Sequence, residues 1–222
     1  MPTSFLTRRK LVIEAAVTHL RSADRTLGRL IDRVGPFTLK LHRDRFDLLV
    51  RSILSQQIST KAARAIRIKL EAQTNGAGIT PAAIARLTDA KLRLAGLSGQ
   101  KIGYLRDLTA HVQDGRLELD RLHRMPDEEV IAELVAVKGI GEWTAQMFLM
   151  FALGRTDVLP HGDLGLRSAL KELYRLDDLP NKQRCLELAT PWRPYATIAS
   201  WYVWRLSDLK TDPNMDASAY PV

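Results

Sequence analysis

Apolar residues recur at intervals of three and four along most of this chain, which is the spacing of one face of an α-helix. Leu11, Ala15 and Leu20 share one such face, and the stretch after Asp44 repeats the pattern up to about residue 57. Only residues 37–41 alternate weakly between apolar and polar positions, so they are the one candidate strand. The pattern predicts an all-α protein of about ten short helices.

Residues that cap helices stand where the apolar periodicity begins. Thr80-Pro81 is a pair typical of an N-cap followed by the first helical turn. Stop signals are as regular, with Gly35-Pro36 and Gly154 each following an apolar stretch. Residues 207–222 carry Asp, Pro and Ser with little periodicity and predict a loosely packed tail. The predicted N-caps are Asp44, Ser59, Thr80, Thr88, Ser98 and Asp163.

Composition narrows the class of protein. The 222 residues are 45% apolar and 26% charged, as in an ordinary globular protein of one or two domains. The single cysteine, Cys185, excludes an internal disulfide framework, a four-Cys zinc site and a Cys-ligated iron–sulfur cluster, and it indicates a reducing compartment. The longest apolar run, residues 147–153, is far shorter than the roughly 20 residues of a membrane span. We therefore expect a cytoplasmic protein with no membrane partner.

Charge is distributed unevenly along the chain. The net charge is +8, but residues 1–111 carry 20 Lys and Arg against 8 Asp and Glu, whereas residues 112–222 carry 13 against 17. The first half therefore has a net charge of +12 and the second half of −4. Such an excess favours a polyanionic partner, although a well-solvated surface would also account for it.

The most informative segment, residues 134–145, contains the turn Gly139-Ile140-Gly141 between two predicted helices. Glycine permits a tight hairpin, and it leaves the backbone N–H groups at the start of the second helix uncovered. A phosphate can bind those groups at the positive end of the helix dipole, with Lys138 and Thr144 as neighbouring contacts. This pattern is typical of a helix-hairpin-helix that binds the DNA backbone, and a plain helix–helix turn is the alternative.

The segment after the hairpin makes the resemblance specific. Residues 158–167 begin eighteen residues beyond Ile140 and contain a Gly- and Pro-containing loop followed by Asp163. Together with residues 55–59, 94–98 and 191–196, this order resembles the helix-hairpin-helix Gly/Pro/Asp DNA glycosylases, and within them the AlkA-type 3-methyladenine DNA glycosylases. The similarity extends from about residue 24 to residue 206.

The resemblance implies that Asp163 is the catalytic carboxylate. Release of a base leaves positive charge on the deoxyribose, which a fixed carboxylate stabilises while it orients or deprotonates water. A plain helix cap is the alternative, and one residue can serve as both. Family members that also cleave the backbone carry a lysine where this chain has Trp143, so the resemblance implies a monofunctional hydrolase without lyase activity.

The same resemblance assigns a pocket for the flipped base. Trp143 and Trp201 match its aromatic walls, where an indole attracts a cationic alkylated base, although either Trp could simply fill the core. Met147 stands where related enzymes have a tyrosine. Gln57 is a further pocket candidate, which could contact the base edge or simply end a helix.

Two further features are implied only by the family. The wedge that enters the vacated duplex falls near Gly99, which has no side chain, so Leu97, Gln100 and Gln57 are the candidates. No cofactor is required, but a structural Na⁺ or K⁺ is implied at the hairpin. Its ligands would be the backbone carbonyls of Val135, Val137 and Ile140.

The resemblance also implies an architecture of two helical subdomains, with the hairpin at their junction and a DNA-binding cleft between them. Residues 43–141 would form the central subdomain, and residues 1–42 and 142–222 the other, which carries the catalytic Asp. Longer AlkA enzymes add an N-terminal β domain, for which this sequence has no room.

The expected function is excision of 3-methyladenine-type purines from double-stranded DNA in base-excision repair. We expect a monomer located in the cytoplasm, at the nucleoid in a bacterium. Two alternatives remain from the residues alone. One is a glycosylase of the same superfamily for another lesion, and the other is a non-catalytic helix-hairpin-helix DNA-binding protein.

Overall fold

The computed structural model describes residues 5–211, and within them it contains twelve α-helices, two short 3-10 turns and no strand. This confirms the all-α fold class. None of the helices described is long and apolar enough to cross a membrane. The helices are α1 (Phe5–Ala23), α2 (Arg25–Val34), α3 (Arg45–Ser55), α4 (Thr60–Gln73), α5 (Pro81–Arg86), α6 (Asp89–Leu94), α7 (Gly99–Gln113), α8 (Asp127–Val135), α9 (Glu142–Phe151), α10 (Leu164–Leu173), α11 (Lys182–Ala189) and α12 (Ala196–Thr211).

The helix starts follow local capping chemistry. Each predicted N-cap accepts a hydrogen bond from a backbone N–H of the first helical turn, which would otherwise lack a partner. Asp24 and Asn181 cap α2 and α11 in the same way. The predicted caps that the structure confirms are Asp44, Ser59, Thr80, Thr88, Ser98 and Asp163.

Two local predictions are wrong. Residues 37–41 form an irregular segment rather than a strand, because no second strand is present among the described residues to pair with them. One of their backbone carbonyls binds a side chain instead of a neighbouring strand, since Leu39 O accepts a hydrogen bond from Arg9 Nη2 at 2.7 Å. The predicted tail begins too early, since α12 continues through residues 207–211, where neither Gly nor Pro interrupts it. Residues 212–222 lie outside the described part of the chain.

The contacts divide the chain into two compact units. The terminal unit comprises residues 5–40 and 154–211, and the central unit comprises Leu41–Leu153. This division differs from the predicted boundary at residue 141, because α9 belongs to the central unit. Its side chains between Thr144 and Phe151 are all buried, and it packs against α3 and α8.

In the terminal unit, α12 packs against α1, α2 and α10. Asp24 joins three of its segments. The Oδ1 atom caps α2, while Oδ2 accepts hydrogen bonds from the hydroxyl of Tyr174 and from Trp192 Nε1. In the central unit, α3 is the inner helix and packs against α4, α7 and α9. Leu49, Val50 and Ile53 of α3 are fully buried there.

Candidate functional site

The helix-hairpin-helix of the central unit is formed by α8, the turn at residues 136–141, and α9. Gly139 has a φ of +83°, and a Cβ at this position would lie 2.3 Å from ring atoms of Tyr104. Lys138 N donates to Asp107 Oδ2 at 2.8 Å, and Gln56 Nε2 donates to Gly139 O at 2.7 Å. The turn is therefore fixed by α7 on one side and by the α3–α4 turn on the other.

The residues predicted to contact phosphate differ in exposure. Lys138 and Gly141 are exposed, and Gly139 is half-buried. The side chain of Thr144 is only 4% exposed, because the α9 face that carries it packs into the core. Glu142 and Trp143 open α9, and Gly141 at its N-cap has no side chain to cover the first turn. Of the predicted phosphate contacts, Lys138 and Gly141 are thus the exposed ones.

The backbone carbonyls assigned to a monovalent cation lie in this hairpin. Val137 O accepts a hydrogen bond from Ile140 N at 3.1 Å, and a carbonyl oxygen retains a second lone pair after one such bond. A Na⁺ or K⁺ ion held by the carbonyls of Val135, Val137 and Ile140 stays a prediction. No group of three His, Cys, Asp or Glu side chains within residues 5–211 is placed to hold a metal.

A pocket of about 530 Å³ lies in the central unit beside the hairpin. Gln57 and Trp143, two of the predicted base-pocket residues, both line it. Gln57 is exposed and has a φ of +58°, a conformation that is uncommon for residues other than glycine. Arg51 and Arg64 line the same pocket and give it positive charge. The pocket volume falls within the range of ligand sites, about 300–1,000 Å³.

The remaining pocket and wedge candidates of the central unit lie elsewhere. Met147 is 1% exposed and buried along α9, and the lining of this pocket does not include it. Leu97 is 4% exposed, so its side chain is part of the core. Gly99 and Gln100 are exposed at the start of α7, where Gln100 Nε2 donates to Tyr104 Oη at 2.6 Å.

Asp163 lies in the terminal unit at the N-cap of α10 and is 7% exposed. Its own N–H donates to Pro160 O at 2.9 Å, which closes the Gly/Pro loop around it. The carboxylate atom Oδ1 accepts two hydrogen bonds, from Leu166 N at 2.6 Å and from Trp204 Nε1 at 3.0 Å. Asp163 is therefore both a helix cap and a buried carboxylate held by a second helix.

Trp201 is also in the terminal unit and is 1% exposed. Its ring meets Phe37 edge-on, with centroids 4.8 Å apart, and Tyr202 at 4.9 Å. The guanidinium carbon of Arg205 lies 5.3 Å from the centroid of the same ring. Burial raises the pKa of Tyr202 to about 12, in keeping with a dry aromatic cluster.

Sequence reasoning missed Trp204. Its position three residues after Trp201 placed it on the same predicted helix, but no local pattern linked it to Asp163, which lies 41 residues away in the chain. Gln56 was also given no role in the hairpin, although it binds Gly139 O. Both contacts depend on which helices pack together. The sequence shows only that a Trp and a Gln, each able to donate a hydrogen bond, stand at these positions.

Comparison with known proteins agrees with this geometry. Over 199 residues the chain is 34% identical to DNA-3-methyladenine glycosylase 1 of Schizosaccharomyces pombe, which covers 87% of each chain. A solved structure of the S. pombe 3-methyladenine DNA glycosylase in complex with abasic DNA has a TM-score of 0.79 and 33% identity, covering 88% of this chain and 98% of that one. The DNA-3-methyladenine glycosidase of Bacillus halodurans has a TM-score of 0.79 and 38% identity, covering 93% and 92%.

The family match includes both the hairpin and the Asp163 loop. Residues 50–194 match the family described as HhH-GPD superfamily base excision DNA repair protein. This range starts in α3 and ends just before α12, and it is more than half of the chain. The chain therefore belongs to the HhH-GPD superfamily of base excision DNA repair proteins.

Proposed function

We propose that this protein is a monofunctional DNA glycosylase that hydrolyses the N-glycosidic bond of alkylated purines of the 3-methyladenine type. The product would be an abasic site in double-stranded DNA, as in base-excision repair. The observation that carries the proposal is Asp163, a buried carboxylate fixed at the start of α10 in a chain with the helix-hairpin-helix. The similarity to DNA-3-methyladenine glycosylase 1 of S. pombe supports the choice of substrate class.

The chemistry requires a carboxylate of this kind. As the bond between base and sugar lengthens, positive charge develops on the sugar ring. A carboxylate that is already oriented and shielded from water stabilises this charge more strongly than one in bulk solvent. Asp163 also supplies an acceptor that can orient or deprotonate the attacking water. Its second role as an N-cap is compatible with this, because a carboxylate has two oxygens with about four lone-pair sites in all.

The residue at the start of α9 supports hydrolysis without backbone cleavage. A lyase needs an amine that attacks the sugar and forms a Schiff base. Trp143 is half-buried and lines the pocket of the central unit, and an indole N–H is a donor without a nucleophilic lone pair. The nearest lysine of the hairpin, Lys138, is exposed, and we assign it to phosphate contact.

The central unit would bind the DNA. Lys138 and the backbone of Gly139 and Gly141 would bind phosphate independently of sequence, and the exposure of Lys138 and Gly141 supports this role. Gln57 is exposed on a turn that its neighbour Gln56 ties to the hairpin, so we propose Gln57 as the residue that enters the vacated duplex. We further propose that the protein acts as a monomer in the cytoplasm, with a Na⁺ or K⁺ ion held by hairpin carbonyls.

An excision panel tests the lesion spectrum. Duplex oligonucleotides with 3-methyladenine, 7-methylguanine, ethenoadenine or uracil are incubated with the protein, and abasic sites are measured after alkaline cleavage. The 3-methyladenine duplex is expected to be the best substrate. Arg51 and Arg64 line the pocket with Trp143, and their charge would oppose a cationic base. The neutral base ethenoadenine is included in the panel to measure the size of this effect. Preference for uracil would indicate a glycosylase for another lesion.

The Asp163→Asn variant separates an enzyme from a DNA-binding module. It should lose base release and keep salt-dependent binding of duplex DNA, because the amide oxygen can still cap α10. Excision as fast as that of the wild type would refute the assignment of Asp163. Treatment of a reacting mixture with borohydride should trap no covalent adduct, and a trapped adduct would contradict the monofunctional assignment.

A further inference from the structure

We infer that Trp204 is a positioning residue that fixes the Asp163 carboxylate for base excision, an inference that rests on the proposed function. Trp204 Nε1 donates to Asp163 Oδ1 at 3.0 Å, and both residues are buried, with exposed fractions of 6% and 7%. The bond joins α12 to the N-cap of α10. Through this bond the packing of the terminal unit acts on the proposed catalytic group.

The capping hydrogen bond by itself does not fix the orientation of the carboxylate plane. The bond from Leu166 N, at 2.6 Å, holds Oδ1 over the start of α10 but allows the carboxylate plane to rotate about that contact. The indole N–H approaches the same oxygen from a different helix, so two donors together fix both the position and the plane. A Trp side chain this buried has only two rotatable bonds and no space to reorient.

Gly165 makes this contact sterically feasible. A Cβ at this position would lie 3.2 Å from Asp163 Oδ1 and 3.9 Å from Trp204 Cδ1. Any other residue at this position would therefore crowd the oxygen that both donors share. The glycine in the first turn of α10 thus keeps the indole and the carboxylate at hydrogen-bonding distance.

The test is the Trp204→Phe variant, which keeps an aromatic ring and removes the donor. Single-turnover excision of 7-methylguanine from a duplex oligonucleotide is expected to slow by about 10-fold to 100-fold, the effect of misplacing a reacting group. The dissociation constant for a duplex with a tetrahydrofuran abasic-site analogue is expected to stay at the wild-type value. A merely structural role would move both quantities or neither.

Trp192→Phe is the matched control. Trp192 is fully buried in the same unit, and its Nε1 donates to a different carboxylate, Asp24 Oδ2, at 3.1 Å. This variant loses the same atoms, so its melting temperature should fall to a similar extent while its excision rate stays at the wild-type value. Equal losses of rate in both variants would overturn the inference, as would a wild-type rate in Trp204→Phe.

A second substitution removes cavity effects. Trp204→benzothienylalanine replaces only the N–H by sulfur and keeps the volume of the indole, so it should slow excision as Trp204→Phe does. A wild-type rate with this side chain would refute the role of the N–H. Asp163→Asn is measured in parallel. If Asp163→Asn is inactive and the Trp204 variants are fully active, only this inference fails. An active Asp163→Asn refutes the catalytic assignment of Asp163, and a wild-type protein that releases no base refutes the proposed function.

Discussion

At the scale of single residues, the Asp24 side chain joins segments that are far apart in the chain, since two of its partners lie 150 and 168 residues away. Oδ1 accepts from Thr26 N and Leu27 N, while Oδ2 accepts from the Tyr174 hydroxyl and from Trp192 Nε1. Burial raises the pKa of Tyr174, and the hydrogen bond to Asp24 adds to that shift, so the phenol stays protonated as a donor. One carboxylate therefore satisfies four donors from three segments.

The Asp24→Ala variant should lower the free energy of unfolding by about 3 kcal/mol, from the lost cap and from two donors left without their acceptor. Urea denaturation followed by circular dichroism measures the change. Asp24→Ser is the control, because its hydroxyl can still cap α2 but is too short to serve both Tyr174 and Trp192. It should recover only the capping part, about 1 kcal/mol. Equal midpoints for both variants would contradict this division.

At the scale of elements, the hairpin between α8 and α9 depends on one glycine. Gly139 combines a φ of +83° with a position against the Tyr104 ring, so an added Cβ meets both backbone strain and a 2.3 Å overlap. The Gly139→Ala variant should therefore lose about 1–3 kcal/mol of stability. It should also bind duplex DNA of every sequence more weakly, since the displaced amides no longer converge on a phosphate.

Gly103→Ala is the matched control for this change. Gly103 lies in α7, and a Cβ added there would meet no atom within 4 Å. An alanine at this position should therefore stabilise the helix by roughly 0.5–1 kcal/mol and leave DNA binding unchanged. Fluorescence anisotropy with an undamaged duplex measures affinity, and thermal unfolding measures stability. Wild-type affinity in Gly139→Ala would show that the hairpin is not the DNA contact.

His42, which precedes α3, should make the stability of the fold depend on pH. His42 N donates to Phe151 O at 2.8 Å, and its ring accepts a hydrogen bond from Arg51, which lines the central pocket. Burial lowers the pKa of His42 below its ordinary 6.5, with Arg51 and Arg67 adding to that direction and Asp47 and Asp44 opposing it. The folded state therefore favours the neutral imidazole.

A lowered pKa gives the sign of the effect. The stabilisation by His42 is complete above pH 6.5 and is lost as pH falls through its lower folded pKa. His42→Gln keeps an acceptor for Arg51 and does not titrate. Between about pH 7.5 and about pH 5.5 the urea midpoint should fall less in this variant than in the wild type, because the two proteins differ in no other titratable group. An equal fall in the two proteins would exclude His42 as the source.

The elements also show what sequence can predict. The caps at Asp44, Ser59 and Asp163 were predictable because capping is decided within four residues of chain. The burial of Leu97 and the bond from Trp204 to Asp163 were not, since each depends on which helix packs alongside. Residues 37–41 failed for the same reason, because a strand exists only beside a partner. Local chemistry thus predicted Asp163 as a helix cap, the family resemblance singled it out as the catalytic candidate, and only packing could reveal Trp204 as its hydrogen-bond donor.

At the scale of the whole molecule, the charge asymmetry of the sequence does not coincide with the two units. The excess of +12 in the first half divides into +5 for residues 1–40 and +7 for residues 41–111. Residues 112–153 of the central unit carry 4 basic and 8 acidic residues. Within the central unit the first part of the sequence is therefore basic and the last part acidic. Some of its arginines form ion pairs with acidic residues, such as Arg45–Asp120 and Arg121–Glu133.

Helix α4 carries two basic residues, Lys61 and Arg64, that take part in no such ion pair among the described residues. Lys61 and Arg64 are exposed and, among the residues that the structure describes, make no salt bridge, and Arg64 lines the pocket with Trp143. Neutralising both residues, as Lys61→Gln with Arg64→Gln, should lower the slope of log affinity against log salt by about two and weaken binding to all duplexes alike.

Titration of an undamaged duplex at several salt concentrations measures this slope. Arg184→Gln is the control, because Arg184 on α11 is paired with Glu187 at 2.9 Å and should leave the slope unchanged. The thermal stability of the double variant should stay near that of the wild type, since exposed charges outside ion pairs contribute little to folding. An unchanged slope would mean that Lys61 and Arg64 make no phosphate contact in the DNA complex.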